Sequence, residues 1–216
     1  LWISCAGGLS GISHIPVQRV EGEGEKVQVK VCGLMGGHSG AEIDKNRANA
    51  NKLMGRFLYG LKKKAEYALI SLTGGQKDNA ITRECTAEFL TDSVAEVKAY
   101  AKELQEQIRE EYTGSDENIT FEITEKGTAT AEVLHPTSQE KIVFYLQNVP
   151  FGIQKMSGTI KGLVETSSNI GILRLDRDEL FASSSVRSSV DAACSALSDK
   201  IEYLTEFLGG DYEVQG

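Results

Sequence analysis

No apolar run in these 216 residues approaches the roughly 20 needed to cross a bilayer as a helix, and no charged-then-apolar leader opens the sequence. Clustered Lys and Arg are scarce too. The formal charge is -8, with 31 acidic against 23 basic residues, and the acidic ones are spread along the chain. That balance argues against nucleic acid or an anionic membrane as partner, because phosphate binding wants concentrated positive charge. The one basic run, Lys62-Lys63-Lys64, reads as a helix end, where cations meet the negative pole of the helix dipole. The four cysteines, Cys5, Cys32, Cys85 and Cys194, never fall in a C-x-x-C spacing, which excludes a zinc knuckle and a dithiol redox site and fits reduced, cytoplasmic thiols. Three histidines, His14, His38 and His135, lie far apart with no H-E-x-x-H, so no catalytic metal is expected on this chain. G-x-S-x-G and the phosphate-binding G-x-x-x-x-G-K-[ST] are absent as well, and Ser183-Ser184-Ser185 reads as strand surface.

What is present is a 40% hydrophobic chain, enough for a real core, with clear periodicities. Leu1 to Cys5 reads as a strand already in progress, suggesting a segment of a longer protein. Val27, Val29 and Val31 alternate with polar residues as a half-buried strand. Beyond a glycine turn at Gly36-Gly37-His38-Ser39-Gly40, apolar residues from Ile43 through Leu61 recur at helical spacing, with Ser39-x-x-Glu42 as a capping box. Strands follow at 67–72 and 82–90, then a helix capped by Ser93-x-x-Glu96 and a strand at 119–123. That order, βαββαβ, is the ferredoxin-like unit: an antiparallel sheet with two helices on one face. After residue 130 comes a helix capped by Thr137-x-x-Glu140, then strands at 152–156, 163–175 and 179–186, a helix from about Ser189, and a strand at 212–215. The expected fold is α+β with two ferredoxin-like halves. Residues 1–25 are read as a linker strand, 26–130 as the first half and 131–216 as the second.

Three polar residues stand at strand ends, where ligand-facing groups gather. His38 lies at a joint cleared of Cβ atoms by Gly36, Gly37 and Gly40. Asn79 sits in a loop with no apolar side chain larger than alanine and could offer an amide to a carbonyl oxygen, or simply close an Asx-turn. Arg187, between a strand and a helix start, suits a carboxylate through paired charge-assisted bonds, or else a surface ion pair.

These stretches, Gly36-Gly37-His38-Ser39-Gly40 with Asn49-Ala50-Asn51-Lys52-Leu53, Gly74-Gly75 with Asn79-Ala80-Ile81-x-Arg83-Glu84, and Ser184-Ser185-Val186-Arg187-Ser188-Ser189, together resemble the lid domain of the Xaa-His (aminoacyl-histidine) dipeptidases of the zinc-peptidase superfamily. Cys5-Ala6-Gly7-Gly8 resembles the point where such enzymes leave the catalytic domain. Thr82 departs from the family, which usually has proline there, and this bears on local loop rigidity. The resemblance implies a metal-dependent peptide hydrolase whose two zinc ions sit in a catalytic domain outside this chain, leaving the fragment itself without metal or activity. It implies that His38 helps stabilise the oxyanion, in its own subunit or across a dimer, that Asn79 holds the substrate backbone and that Arg187 binds the dipeptide's C-terminal carboxylate. A homodimer is the implied state. A rival reading is a ferredoxin-like module for small-molecule sensing or dimerisation, which would scatter the three residues instead of placing them on one face.

Overall fold

A computed structural model describes residues 7–216. The strand and exit point expected within residues 1–6, including Cys5, lie outside the described residues. In chain order the elements are β1 (Gly7–Pro16), β2 (Arg19–Cys32), β3 (Gly37–His38), α1 (Ala50–Leu61), β4 (Ala68–Gly74), β5 (Ala80–Ile81), β6 (Cys85–Thr91), α2 (Val94–Glu111), β7 (Thr120–Leu134), α3 (Pro136–Asn148), β8 (Gly152–Met156), β9 (Val164–Leu175), β10 (Glu179–Ser188), α4 (Asp191–Phe207) and β11 (Asp211–Gln215).

The expected α+β architecture is present. Eight strands of one antiparallel sheet run in the order β11-β1-β10-β9-β4-β6-β2-β7, with β8 beside β9, and β3 pairs separately with β5. Within it, β7-β2-β6-β4 and β11-β1-β10-β9 each reproduce the ferredoxin-like strand order, so the sheet is two such units joined edge to edge. The join is short: Leu72, Thr73 and Gly74 of β4 pair with Leu175, Arg174 and Leu173 of β9.

The second unit draws its central strand from the start of the chain. Residues 7–16, read as linker, insert between β10 and β11 in register, Ile12 opposite Ser183 and Glu213. Their sequence, with glycine and serine among few apolar residues, hides a strand buried by its neighbours. The division at residue 130 falls inside β7, which runs 15 residues and pairs with β2 along its length.

The helices cover one face. Val27, Val29 and Val31 of β2, Ala87 and Phe89 of β6, Leu173 and Leu175 of β9 and Ile15 of β1 join Phe57, Leu104 and Tyr145 from α1, α2 and α3 in one buried cluster. Helices α1 and α3 meet across the join. Gly55 lies so close to α3 that a Cβ there would stand 2.7 Å from Leu146 Cβ. Beside it, Lys52 Nζ donates to the final carbonyls of α3, Leu146 at 2.6 Å and Val149 at 2.7 Å, and burial pulls its ammonium down to about 8. Away from the helices, β2, β6 and β7 carry solvated charge, with Glu88 bridging Lys26 and Lys126.

Candidate functional site

Strand β9 pairs with β8 over 164–168 and with β4 over 173–175, which leaves residues 169–172 without a strand partner on that side. The polar carbonyls there must be satisfied some other way. The N-terminus of α1 does it. Asn49 caps α1 by accepting from the Asn51 and Lys52 N–H groups, and its Nδ2 donates to Asn169 Oδ1 (3.0 Å) and to the Ile170 carbonyl (2.9 Å). Asn51 Nδ2 reaches Ile170 O and Thr82 Oγ1, and the Thr82 hydroxyl lies 3.2 and 3.1 Å from the carbonyls of Ile170 and Gly171. Thr82 thus anchors by hydrogen bonds a loop that proline would stiffen by its ring.

Helix α1 therefore begins at Ala50 and not in the His38 turn. Between them lie a 3-10 turn at Ile43–Lys45 and Asn46 in the left-handed region (φ 52°), which breaks the run of helical spacing. The expected Ser39–Glu42 capping box is displaced by one residue. Glu42 Oε2 accepts from the His38 N–H at 2.8 Å, while Ser39 Oγ is buried with no partner among the described residues. Arg47 closes the turn onto Glu42 Oε1 (2.8 Å) and the Gly36 carbonyl (2.6 Å). The His38 N–H first, and Arg47 next, hold the Glu42 carboxyl below its usual range. Gly37, at φ 143°, leaves no space for a side chain beside Arg47 and Glu42.

His38 gains a fixed tautomer from this turn. Its Nδ1 accepts from the backbone N–H groups of Gly40 (3.0 Å) and Ala41 (3.1 Å), which puts the proton of the neutral ring on Nε2. The ring is exposed and Nε2 has no partner among the described residues.

Asn79 is brought alongside. β3 pairs with β5, His38 opposite Ala80, and the Ser39 N–H donates to the Asn79 carbonyl at 2.9 Å. The Asn79 side chain is exposed and enters no hydrogen bond among the described residues, so no Asx-turn forms.

Arg187 completes the group from the other ferredoxin-like unit. A Cβ on Gly40 would stand 3.2 Å from His38 Cε1 and 3.2 Å from Arg187 Cζ, so imidazole and guanidinium face each other across one small gap. Arg187 is half-buried, its Nε is shielded, and it has neither hydrogen bond nor ion pair among the described residues. The expected alternative, a surface ion pair, is not formed. Every other arginine there has a partner: Arg19, Arg47, Arg83 and Arg109 hold carbonyls, and Arg56, Arg174 and Arg177 meet carboxylates.

Residues that sequence reading passed over shape the site. Ser183, Ser184 and Ser185, expected on a strand surface, are buried at 4, 0 and 6% exposure. Asp78 accepts from Ser10 Oγ at 2.5 Å, and Asn169 donates to backbone carbonyls of the Asn79 loop. The usable signal was a run of small polar residues, Thr166 to Asn169, in a strand too central to be solvated. Among the described residues no three His, Cys, Asp or Glu side chains converge on a metal position, and no helix is long and apolar enough to cross a membrane.

Fold and site together define an α+β domain of two ferredoxin-like units on one sheet, with a polar site where they meet. Residues 29–116 match the family model described as the peptidase dimerisation domain. The whole chain is 29% identical over 220 residues to the cytosol non-specific dipeptidase of Escherichia coli (strain K12), covering 100% of this chain and 45% of that protein. It superposes on the aminoacylhistidine dipeptidase of Vibrio alginolyticus with a TM-score of 0.93 at 29% identity, over 98% of this chain and 44% of that one. The likeness is therefore to the lid and dimerisation domain of a dipeptidase, as the motif residues implied, and the chain spans less than half the length of either relative.

Proposed function

We propose that this chain is the lid of a zinc-dependent dipeptidase cleaving Xaa-His dipeptides, and that His38, Asn79 and Arg187 are its contacts with substrate. Arg187 carries the reading: a half-buried cation without a partner among the described residues, across a narrow gap from an imidazole whose Nε2–H is likewise unpaired there. A C-terminal carboxylate fits such a guanidinium through two parallel bonds. His38 Nε2–H then donates to the carbonyl oxygen as negative charge develops on it, and needs no reorganisation to do so because its tautomer is already set. Asn79 gives its amide to the substrate backbone. The nearness of Arg187 to His38 limits the chain beyond the scissile carbonyl to about one residue, which is dipeptide selectivity.

In this reading metal chemistry belongs to a catalytic domain outside this chain. There the zinc pair supplies an activated water. This chain binds, orients and excludes solvent, and has no hydrolytic activity alone. We assign it also a homodimeric state and a cytoplasmic setting.

Steady-state kinetics of the full-length protein with alanyl-histidine test this. Arg187→Ala is expected to raise KM at least tenfold. His38→Ala is expected to lower kcat by about 10²-fold, the usual consequence of losing an oxyanion donor. Wild-type kinetics in both variants would remove the proposal.

A further inference from the structure

The loop that carries Asn79 has little of its own to hold it. Residues 75–80 bury no large apolar side chain, Ile81 at 1% exposure being the first apolar anchor after them, and β3 and β5 are two residues each. Its place depends on what ties it to the sheet. Asp78 is tied to β1 by Ser10 Oγ, and the backbone on both sides of Asn79 is tied to β9 by Asn169, 1% exposed in the unpaired stretch of that strand. Every hydrogen-bonding group of its amide is committed: Oδ1 accepts from Asn49, and the two Nδ2 hydrogens go to the carbonyls of Asp78 (3.2 Å) and Ala80 (2.9 Å), one on each side of Asn79. The loop lies directly on the bulge beside it, where a Cβ on Gly171 would come within 2.4 Å of Asp78 O.

We infer that Asn169 is a positioning residue of the site: its one amide clamps the backbone on both sides of Asn79 and, through the β3–β5 pair, sets His38 at a fixed spacing from Arg187. The spacing is built into the sheet. Asn169 pairs with Ser185 and Ser167 with Arg187 on the adjacent strand, so clamp and guanidinium are held two residues apart in one register. An amide is required because two donors and an acceptor must sit on one short side chain. An isosteric carboxylate has no donor and would face two carbonyls. The inference rests on the function proposed above.

The test uses the full-length protein with Asn169→Asp, and with Asn169→Ser in case the buried carboxylate prevents folding. Amide hydrogen exchange is read at 36–41 and 76–82, with α2 and β7 as internal reference, beside alanyl-histidine kinetics. The expected result is at least tenfold faster exchange confined to those two segments, with kcat down about tenfold or more and KM within about threefold. Unchanged exchange there, exchange that rises equally in α2 and β7, or faster local exchange with wild-type kcat would each overturn the inference. If His38→Ala and Arg187→Ala also leave kinetics unchanged, it is the proposed function that has failed. If they impair the enzyme while Asn169→Asp and Asn169→Ser do not, only the positioning role has.

Discussion

Gly40 is the residue on which the width of the site depends. A methyl group there would fill the gap between His38 and Arg187, 3.2 Å from each. Gly40→Ala should therefore lower kcat/KM of the full-length protein by about 10- to 100-fold, the scale expected of a misplacement near 1 Å, while circular dichroism and Tm stay at wild-type values. The glycines around His38 were visible in the sequence as a cleared joint, and so was the placement of His38, Asn79 and Arg187 next to strand ends. The caps were not. None of the three capping boxes read from spacing forms: His38 displaces Ser39, Ser93 is the N-cap of α2 without a side-chain cap bond while its own N–H goes to Thr91 Oγ1, and His135 Nδ1 caps α3 by accepting from the Thr137 N–H. Spacing identifies which side chains can cap; the φ and ψ of the preceding residues decide which one does.

Among the elements, β11 offers a pH-dependent test. His14 on β1 meets Glu179 of β10 through Nδ1 at 3.0 Å and Glu213 of β11 through Nε2 at 3.7 Å, with Asp176, Asp178, Asp211 and Arg177 around the same hollow. The hydrogen bond to Glu179 leads in raising the imidazole above 6.5, against a smaller lowering by burial. A raised folded-state value means that the histidine's contribution is fully present below pH 6.5 and is lost as pH rises through the folded value. The protection factors of β11 amides, with the intrinsic base-catalysed rate divided out, should fall over that range, and His14→Gln should remove the fall. The helices α2 and α4 were readable from one apolar stripe each. β1 was not, because a central strand of serine and glycine gains its burial from β10, β11 and α4, a tertiary context that local pattern does not encode. The start of α1 was missed for a related reason: Asn49 is chosen by its reach to Asn169 and Ile170, 120 residues away and more.

The whole molecule joins two like units through three residue pairs of β4 and β9, yet its buried cluster runs across that join without a break. The halves should unfold together. Leu72→Ala, removing a fully buried side chain beside the join, is expected to cost roughly 2–5 kcal/mol and to move one calorimetric transition, not to split it in two. Gly55→Ala, which forces a methyl against Leu146 where α1 meets α3, should cost about 1–3 kcal/mol by overpacking in the same single transition. That continuity matters for function, since His38 and Asn79 come from one unit and Arg187 from the other. The pairing of β4 with β9, on which their meeting depends, left no trace in local sequence pattern, although the βαββαβ order of the first unit did.

The central claim is that Arg187 receives the carboxylate of a dipeptide whose carbonyl faces His38. It is tested most directly by comparing alanyl-histidine with its C-terminal amide as substrates of the full-length protein, wild type and Arg187→Ala. The account predicts that the wild type prefers the free acid by about 10²-fold or more, as loss of a desolvated charge-assisted pair implies, and that Arg187→Ala abolishes the preference. A preference that persists undiminished in Arg187→Ala would contradict it.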